Sequence, residues 1–250
     1  MKILVIDIGG TYVKILATGE KDRRRFESGE SMTPEQMVPR VKDVCKDWEY
    51  DVVSIGYPGV VKDGRPAVEP WHLAPGWVGF DYGTAFGRPV RILNDAAMQA
   101  LGSYRDGVML FLGLGTGLGS AMVAEDTVIP LELGRLAYVK GRYDDHVGSR
   151  ALREHGLARW REDVLFGIER FVDALLPDEV VLGGGNVREL GVLPLKCRLG
   201  DNANAFIGGF RMWETTRSRK RNDEGRYHIP TTGHSAAAPR QSGGWPSSAD

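Results

Sequence analysis

Four short runs of this chain combine small residues with groups able to hold phosphate or to move a proton. Leu112 to Ser120 reads LGLGTGLGS, four glycines and a threonine between two apolar runs. Glycine lets backbone N–H groups approach a ligand with no Cβ in the way, and successive N–H groups form a concavity suited to phosphate oxygens. The same composition also describes a tight hairpin turn. Near the start, Asp7, Gly9, Gly10, Thr11 and Lys14 place carboxylate, hydroxyl and ammonium around one glycine-rich backbone. Those are the groups that a magnesium-bound polyphosphate requires, although a turn capped by Asp7 with Lys14 in solvent accounts for them too. Asn94-Asp95 closes a strand pattern. One of the pair caps the following helix, and the other is left at the C-terminal end of a strand, where ligands bind in open α/β sheets. Gly183, Gly184 and Gly185 follow a buried-type strand and serve either as a plain turn or as a nucleotide contact.

The elements that must position these residues read as alternating strands and helices. Lys2 to Ile8 and Tyr12 to Ala17 are strands around the Gly9-Gly10-Thr11 turn, and Val108 to Leu112 with Ala121 to Ala124 repeat the arrangement around the second glycine stretch. DIGGTYVKI against LGLGTGLGSA is thus an internal repeat. Arg23 to Arg25 reads as a solvated loop face. Thr33-Pro34-Glu35 gives N-cap, N1 and first-turn acid of a helix whose apolar face holds Met37, Val38, Val41, Cys45 and Trp48. Asp51 to Gly56 is a strand closed by Pro58-Gly59. Asp63 to Gly87 is an irregular loop in which Trp71 and Trp77 either stack on a ligand or pack the loop down. Val147 to Leu176 is helical with a break at Gly156. Asp201 or Asn202 caps a last helix, Ala203 to Trp213, whose Gly208-Gly209 implies another element packed close against it.

With 250 residues, 42% of them hydrophobic, the chain can bury a sizeable core. Its 32 basic and 33 acidic residues give a net charge of −1, so no overall field favours nucleic acid or an anionic membrane, and neither is expected as a partner. Cys45 and Cys197 can supply neither a disulfide framework nor a four-thiolate zinc site, and a reducing cytoplasm suits them. Neither a secretory leader nor an apolar run long enough for a membrane span is expected.

Taken together, two glycine-threonine hairpins, a strand-end Asn-Asp between them and a late strand followed by three glycines resemble the ROK family of bacterial sugar kinases. The likeness runs from Lys2 to about Phe210 and is strongest to the polyphosphate/ATP glucokinases. It implies an α/β chain with the actin-like ATPase (ribonuclease H-like) fold, two lobes around a central interlobe cleft. One lobe is expected over residues 1–97 plus 201–213 and the other over 98–200. Residues 214–250, poor in apolar side chains, are expected to be a disordered tail.

By this resemblance Asp7, Gly9, Gly10, Thr11 and Lys14 look like the first phosphate motif, with Asp7 holding Mg2+ through water. Gly113 to Gly119, with Gly115, Thr116 and Gly117 at its centre, looks like the second, and Gly183 to Gly185 like the adenosine motif. Asn94 and Gly59 match sugar-pocket positions, Asp95 the catalytic carboxylate and Glu132 the Glu of the family's E-x-G-H. Independently of the name, a sugar hydroxyl is a poor nucleophile and needs a carboxylate to accept its proton, the role assigned to Asp95. Three departures stand out. Arg135 replaces the His of E-x-G-H, a permanently charged donor that cannot bind zinc, and the family's cysteine cluster is missing, so no zinc site of that kind is expected. A further sugar-binding Glu falls on Asp145, one methylene shorter, with Asp144 beside it. Of the threonine-proline repeat of polyphosphate users only Thr33-Pro34 remains, which weakens polyphosphate as donor. The resemblance implies a hexose kinase passing the terminal phosphoryl of ATP, with polyphosphate as the other donor, to glucose, giving the 6-phosphate. The alternative is a sugar-binding or regulatory protein on the same fold that has lost turnover. Dimerisation is frequent in such kinases, so a homodimer is in keeping with it.

Overall fold

Six consecutive buried residues, ILVIDI, form the strand around which the N-terminal sheet is assembled. The structure is a computed structural model and describes residues 1–125, 127–201 and 203–214; the expected tail beyond Glu214 lies outside them. In chain order the elements are β1 (Ile3–Ile8), β2 (Tyr12–Ala17), β3 (Arg24–Glu27), α1 (Pro34–Val44), β4 (Val52–Tyr57), β5 (Val61–Lys62), β6 (Arg65–Pro66), α2 (Tyr82–Phe86), β7 (Val90–Asn94) and α3 (Asp95–Ser103). There follow β8 (Val108–Leu114), β9 (Leu118–Ala124), β10 (Thr127–Leu131), α4 (Asp144–Val147), α5 (Ser149–His155), α6 (Leu157–Leu175), β11 (Glu179–Gly183), β12 (Cys197–Leu199) and α7 (Asn204–Arg211).

Two five-stranded sheets result, ordered β3-β2-β1-β4-β7 and β10-β9-β8-β11-β12. Each has two antiparallel pairings at one side and two parallel pairings at the other, so the repeat seen at the glycine turns extends to topology. Buried residues of α1, Met37, Val38 and Val41, cover one face of the first sheet, and Trp160, Val164, Ile168 and Phe171 of α6 cover one face of the second. Between the sheets lie α3 and α7. Ala96, Ala97 and Ala100 of α3 pack on Phe111 and Val181, while Met98 joins Val5 and Phe206. Small residues on α3 let the helix enter so narrow a space. A Cβ on Gly102 would meet the carbonyl oxygen of Asn204, one on Gly208 the carbonyl oxygen of Met98, and one on Gly209 the side chain of Val5. The close approach expected from Gly208-Gly209 is therefore the crossing of α3 and α7. Arg211 completes it, donating from Nη1 to the carbonyls of Leu101 at 2.7 Å and Tyr104 at 2.9 Å at the C-terminal end of α3.

Local signals in the sequence act as expected at α1. Thr33 is the N-cap, Pro34 is N1, and Gln36 and Thr33 form a reciprocal capping box. Three expectations change. The 63–87 segment, expected to be an irregular loop, carries β6 and the helix α2, capped by Asp81 and Gly87. Of Arg23 to Arg25 only Arg23 is a solvated loop residue: Arg24 begins β3, pairs with Asp47 and lies 4.2 Å over the Trp48 ring. Asp201 does not take the cap position of α7, which Ala203 occupies, although Asp201 Oδ1 accepts the Ala203 N–H at 2.7 Å, and Asn202 lies outside the described residues. Trp77 is fully buried and packs the 63–87 segment down, whereas Trp71 is 86% exposed. Cys45 and Cys197 are free thiols, and among the described residues no helix is long and apolar enough to cross a membrane.

Candidate active site

Asp95 opens α3 at the end of β7, and its neighbour Asn94 settles which of the pair caps the helix. Asn94 Oδ1 accepts the Ala97 N–H at 3.1 Å and its Nδ2 donates to the Gly59 carbonyl at 3.0 Å, tying the Pro58-Gly59 turn to the start of α3. Asp95 is left to the site, with one carboxylate oxygen accepting the Ala96 N–H at 2.8 Å. Its carboxyl is pushed up to about 7. Burial is the largest cause, the charge of Asp7 the next, and Glu132 adds to them, while the Ala96 N–H pulls the other way. Acids from both sheets therefore bear on one carboxyl: Asp7 from β1 and Glu132 from beyond β10.

Asp7 is itself held by register. It sits opposite Lys14 in the β1–β2 ladder, and Lys14 Nζ lies 3.1 Å from Asp7 Oδ2. Among the described residues no donor reaches Asp7 Oδ1, so one hard oxygen remains for a hydrated cation. The adjoining turn is anchored through its carbonyls. Ser28 Oγ donates to the Gly9 carbonyl at 2.6 Å, and the Ser28 and Gly29 N–H groups donate to Thr11 and Gly10. Gly10 and Thr11 are exposed, and among the described residues no acceptor meets their N–H groups.

The second turn is built in the same way from different parts. Ser149 donates to the Gly115 carbonyl from both N and Oγ, at 2.9 and 2.8 Å, and Asn186 Nδ2 donates to that oxygen at 3.1 Å. Asn186 follows the three glycines, which are thereby joined to this turn. Gly183 pairs with Gly113 across β11 and β8, and Gly184, at φ +87°, leaves no room for a Cβ beside the Leu114 backbone. A Cβ on Gly115 or Gly185 would meet open space, so packing within the described chain does not require glycine there. Thr116 at the tip is exposed. Gly119 touches Ala96, with 2.8 Å from a built Cβ to the alanine methyl, which sets the second hairpin against the start of α3 next to Asp95.

The remaining sugar-pocket expectations divide. Glu132 and Arg135 form an ion pair, Nε to Oε2 2.9 Å, on a half-exposed 3₁₀ turn. Arg135 thus meets its own motif's glutamate. Asp145 is taken up elsewhere: it accepts the Arg142 N–H at 3.0 Å and pairs with Arg150 at 3.0 Å, in an exposed position. It is Asp144 that reaches the glycine turn, accepting the Leu118 N–H at 2.7 Å through Oδ1. That oxygen occupies space which a Cβ on Gly117 or Gly134 would fill, so Asp144 links the second phosphate-type turn to the Glu132–Arg135 turn. The shift by one residue follows from α4. Asp144 and Asp145 are neighbours on one helical turn and cannot face the same way. The signal in the sequence was Gly134, a glycine between Glu132 and Arg135 that only a close neighbour explains.

The ROK family matches this chain over residues 3–130. The sequence is 28% identical over 209 residues to a polyphosphate glucokinase of Mycobacterium tuberculosis, covering 74% of this chain and 77% of that one. In structure it is similar to the inorganic polyphosphate/ATP-glucomannokinase of Arthrobacter sp. strain KM, with a TM-score of 0.72 and 22% identity over 83% of this chain and 96% of the other. A ROK family glucokinase from Streptomyces griseus, in complex with glucose and AMPPNP, gives a TM-score of 0.68 and 16% identity over 84% and 98%. The fold is the actin-like ATPase fold that these structures share.

Proposed function

This chain belongs to the ROK family, and on that premise we propose that it is a sugar kinase transferring the terminal phosphoryl group of ATP to a hexose hydroxyl, with glucose as acceptor and the 6-phosphate as product. The observation that carries the reading is Asp95, a carboxyl with a raised proton affinity at a strand end, within reach of the charge of Asp7 before the first glycine turn and next to Ala96, which meets Gly119 of the second hairpin. A base whose pKa lies near the working pH accepts a proton most effectively during transfer. Asn94, Gly59 and Glu132 present hydrogen-bonding groups for the sugar. Sites built on such groups discriminate against a missing or inverted hydroxyl. The N–H groups of Gly10, Thr11, Thr116 and Gly117 neutralise the phosphates, with Gly183 to Gly185 facing the nucleoside. Asp7 would hold Mg2+ through water, and the ion supplies charge neutralisation on the phosphates when bound. Residues 1–97 with 201–213 and residues 98–200 act as two lobes whose closure excludes water from the phosphoryl group. The relatives named as glucokinases support glucose, and those named for polyphosphate support it as a second donor.

A coupled assay with magnesium, ATP or polyphosphate, and a panel of glucose, mannose, fructose and N-acetylated hexoses tests the reading. Turnover of at least one hexose is expected, and phosphorylation of none overturns it. Glu132 should act in binding. Glu132→Gln is expected to raise the sugar KM by about tenfold or more with a smaller change in kcat, as steady-state kinetics would show. A second reading rests on the Glu132–Arg135 pair, which occupies the glutamate. Under it the protein binds sugar without phosphorylating it, and calorimetry beside the same assay separates the two.

A further inference from the structure

A separate group of side chains is arranged like metal ligands. His146 on α4, His155 at the end of α5 and Asp163 on α6 each bring one ligand atom to within 4.8 Å of the other two. Asp163 is 1% exposed and fixed in place: Oδ1 accepts the Tyr138 hydroxyl at 2.7 Å and Arg159 Nη2 at 2.9 Å, and Oδ2 accepts Arg159 Nε at 3.1 Å. His146 Nε2 lies 2.8 Å from the Lys140 carbonyl oxygen. A carbonyl only accepts, so that nitrogen carries the hydrogen and Nδ1 of the neutral ring presents its lone pair. That lone pair lies 3.8 Å from Asp163 Oδ2. Arg159 already donates to Oδ2, but among the described residues no donor meets the His146 lone pair, and a positive species between the two atoms would satisfy it.

A proton on Nδ1 would be one such species, but it gives no role to the second imidazole. His155 stands with its ring centre 6.0 Å from that of His146. A histidine that donates one ring N–H to a backbone carbonyl while directing the other nitrogen at a site is how metal-ligating histidines are held. Ligand atoms about 2 Å from a common ion lie roughly 3.3 Å apart in a tetrahedron. The 3.8 Å separation is near that value, and the exposed His155 side chain can move to complete the set. We propose that His146, His155 and Asp163 bind a divalent cation of the zinc class, with water completing the coordination. Two imidazoles and one carboxylate suit zinc, cobalt and nickel, whereas magnesium and calcium prefer all-oxygen sites. The residues differ from the cysteine cluster of other ROK members, whose absence gave the expectation of no zinc. The ion would join α4, α5 and α6 two residues past Asp144.

Cobalt is the probe. Titrated into the full chain after chelator treatment, Co2+ is expected to give a saturable visible spectrum at one equivalent, displaced by Zn2+ and not by Mg2+. His155→Ala removes an exposed ligand and should keep the unfolding temperature of the chelated wild type. It should nonetheless weaken Co2+ binding by more than the roughly 10–100-fold that loss of an outer-shell contact costs. His146→Asn should abolish the spectrum. No saturable spectrum in the wild type, or an undiminished one in His155→Ala, overturns the site.

Discussion

Asp95→Asn is expected to lower kcat by about 10²- to 10⁴-fold while leaving sugar binding within a few-fold of wild type. Asparagine keeps the size of the side chain and an oxygen for the Ala96 N–H, which now lies 2.8 Å from Oδ1. It cannot accept the proton of the attacking hydroxyl. The change also removes a charge that burial and Asp7 disfavour, and this gives an independent signature in stability. A carboxyl whose folded pKa is raised to about 7 from an ordinary value near 3.8 binds its proton more tightly when folded. Its contribution to stability is fully present at low pH and is lost as pH rises through about 7. Asp95→Asn should therefore raise the unfolding temperature relative to wild type more at alkaline pH than at acidic pH. Calorimetry for sugar binding, initial rates for turnover and thermal unfolding at two pH values check the three parts. Unchanged kcat would remove Asp95 from the chemistry.

The second large effect lies away from the chemistry, at the crossing that holds α3 between the sheets. Gly208→Ala would put a methyl group against the carbonyl oxygen of Met98, and Gly102→Ala would put one against that of Asn204. Neither neighbour is a side chain that can rotate aside, so the helices must separate. Such overpacking costs about 1–3 kcal/mol and sometimes more, and at the upper end it lowers Tm by roughly 6–12 °C in a domain of this size. Because α3 begins with Asp95, the surviving folded protein should also lose activity. Ile207→Ala, at a side chain 41% exposed on the same helix, is the control expected to cost much less. Thermal unfolding of the three variants decides it, and a Gly208→Ala protein as stable as wild type would show that the crossing is loose.

How much the sequence reveals depends on whether a residue's role is local. Thr33, Pro34 and Gln36 form their capping box within four residues, so α1 was readable directly. The glycine turns were readable because both set a threonine beside glycines where a buried strand ends, Gly9-Gly10-Thr11 after β1 and Gly115-Thr116-Gly117 after β8. β3 is not legible because none of its four residues is fully buried, and what holds it lies far along the chain, in Asp47 and Trp48. The short β10 went unseen as well. Its strand is set by pairing with β9, from Thr127 opposite Ala124 to Leu131 opposite Ser120, more than by its own pattern. The choice between Asp144 and Asp145 could not be made from type, since both are aspartates. It depends on the space at Gly117 and Gly134, which are distant from each other in sequence. The histidines and Asp163 carried no motif spacing and became a group only through the folding of three helices.

The pH dependence of kcat/KM for ATP-dependent phosphorylation bears most directly on Asp95 as the proton acceptor. The carboxyl must be ionised to act, so the rate should rise with pH along a limb with an apparent pKa of about 7. In Asp95→Asn the residual rate should lack that limb. A wild-type profile that is flat through neutrality, or a limb that persists in Asp95→Asn, would contradict the account.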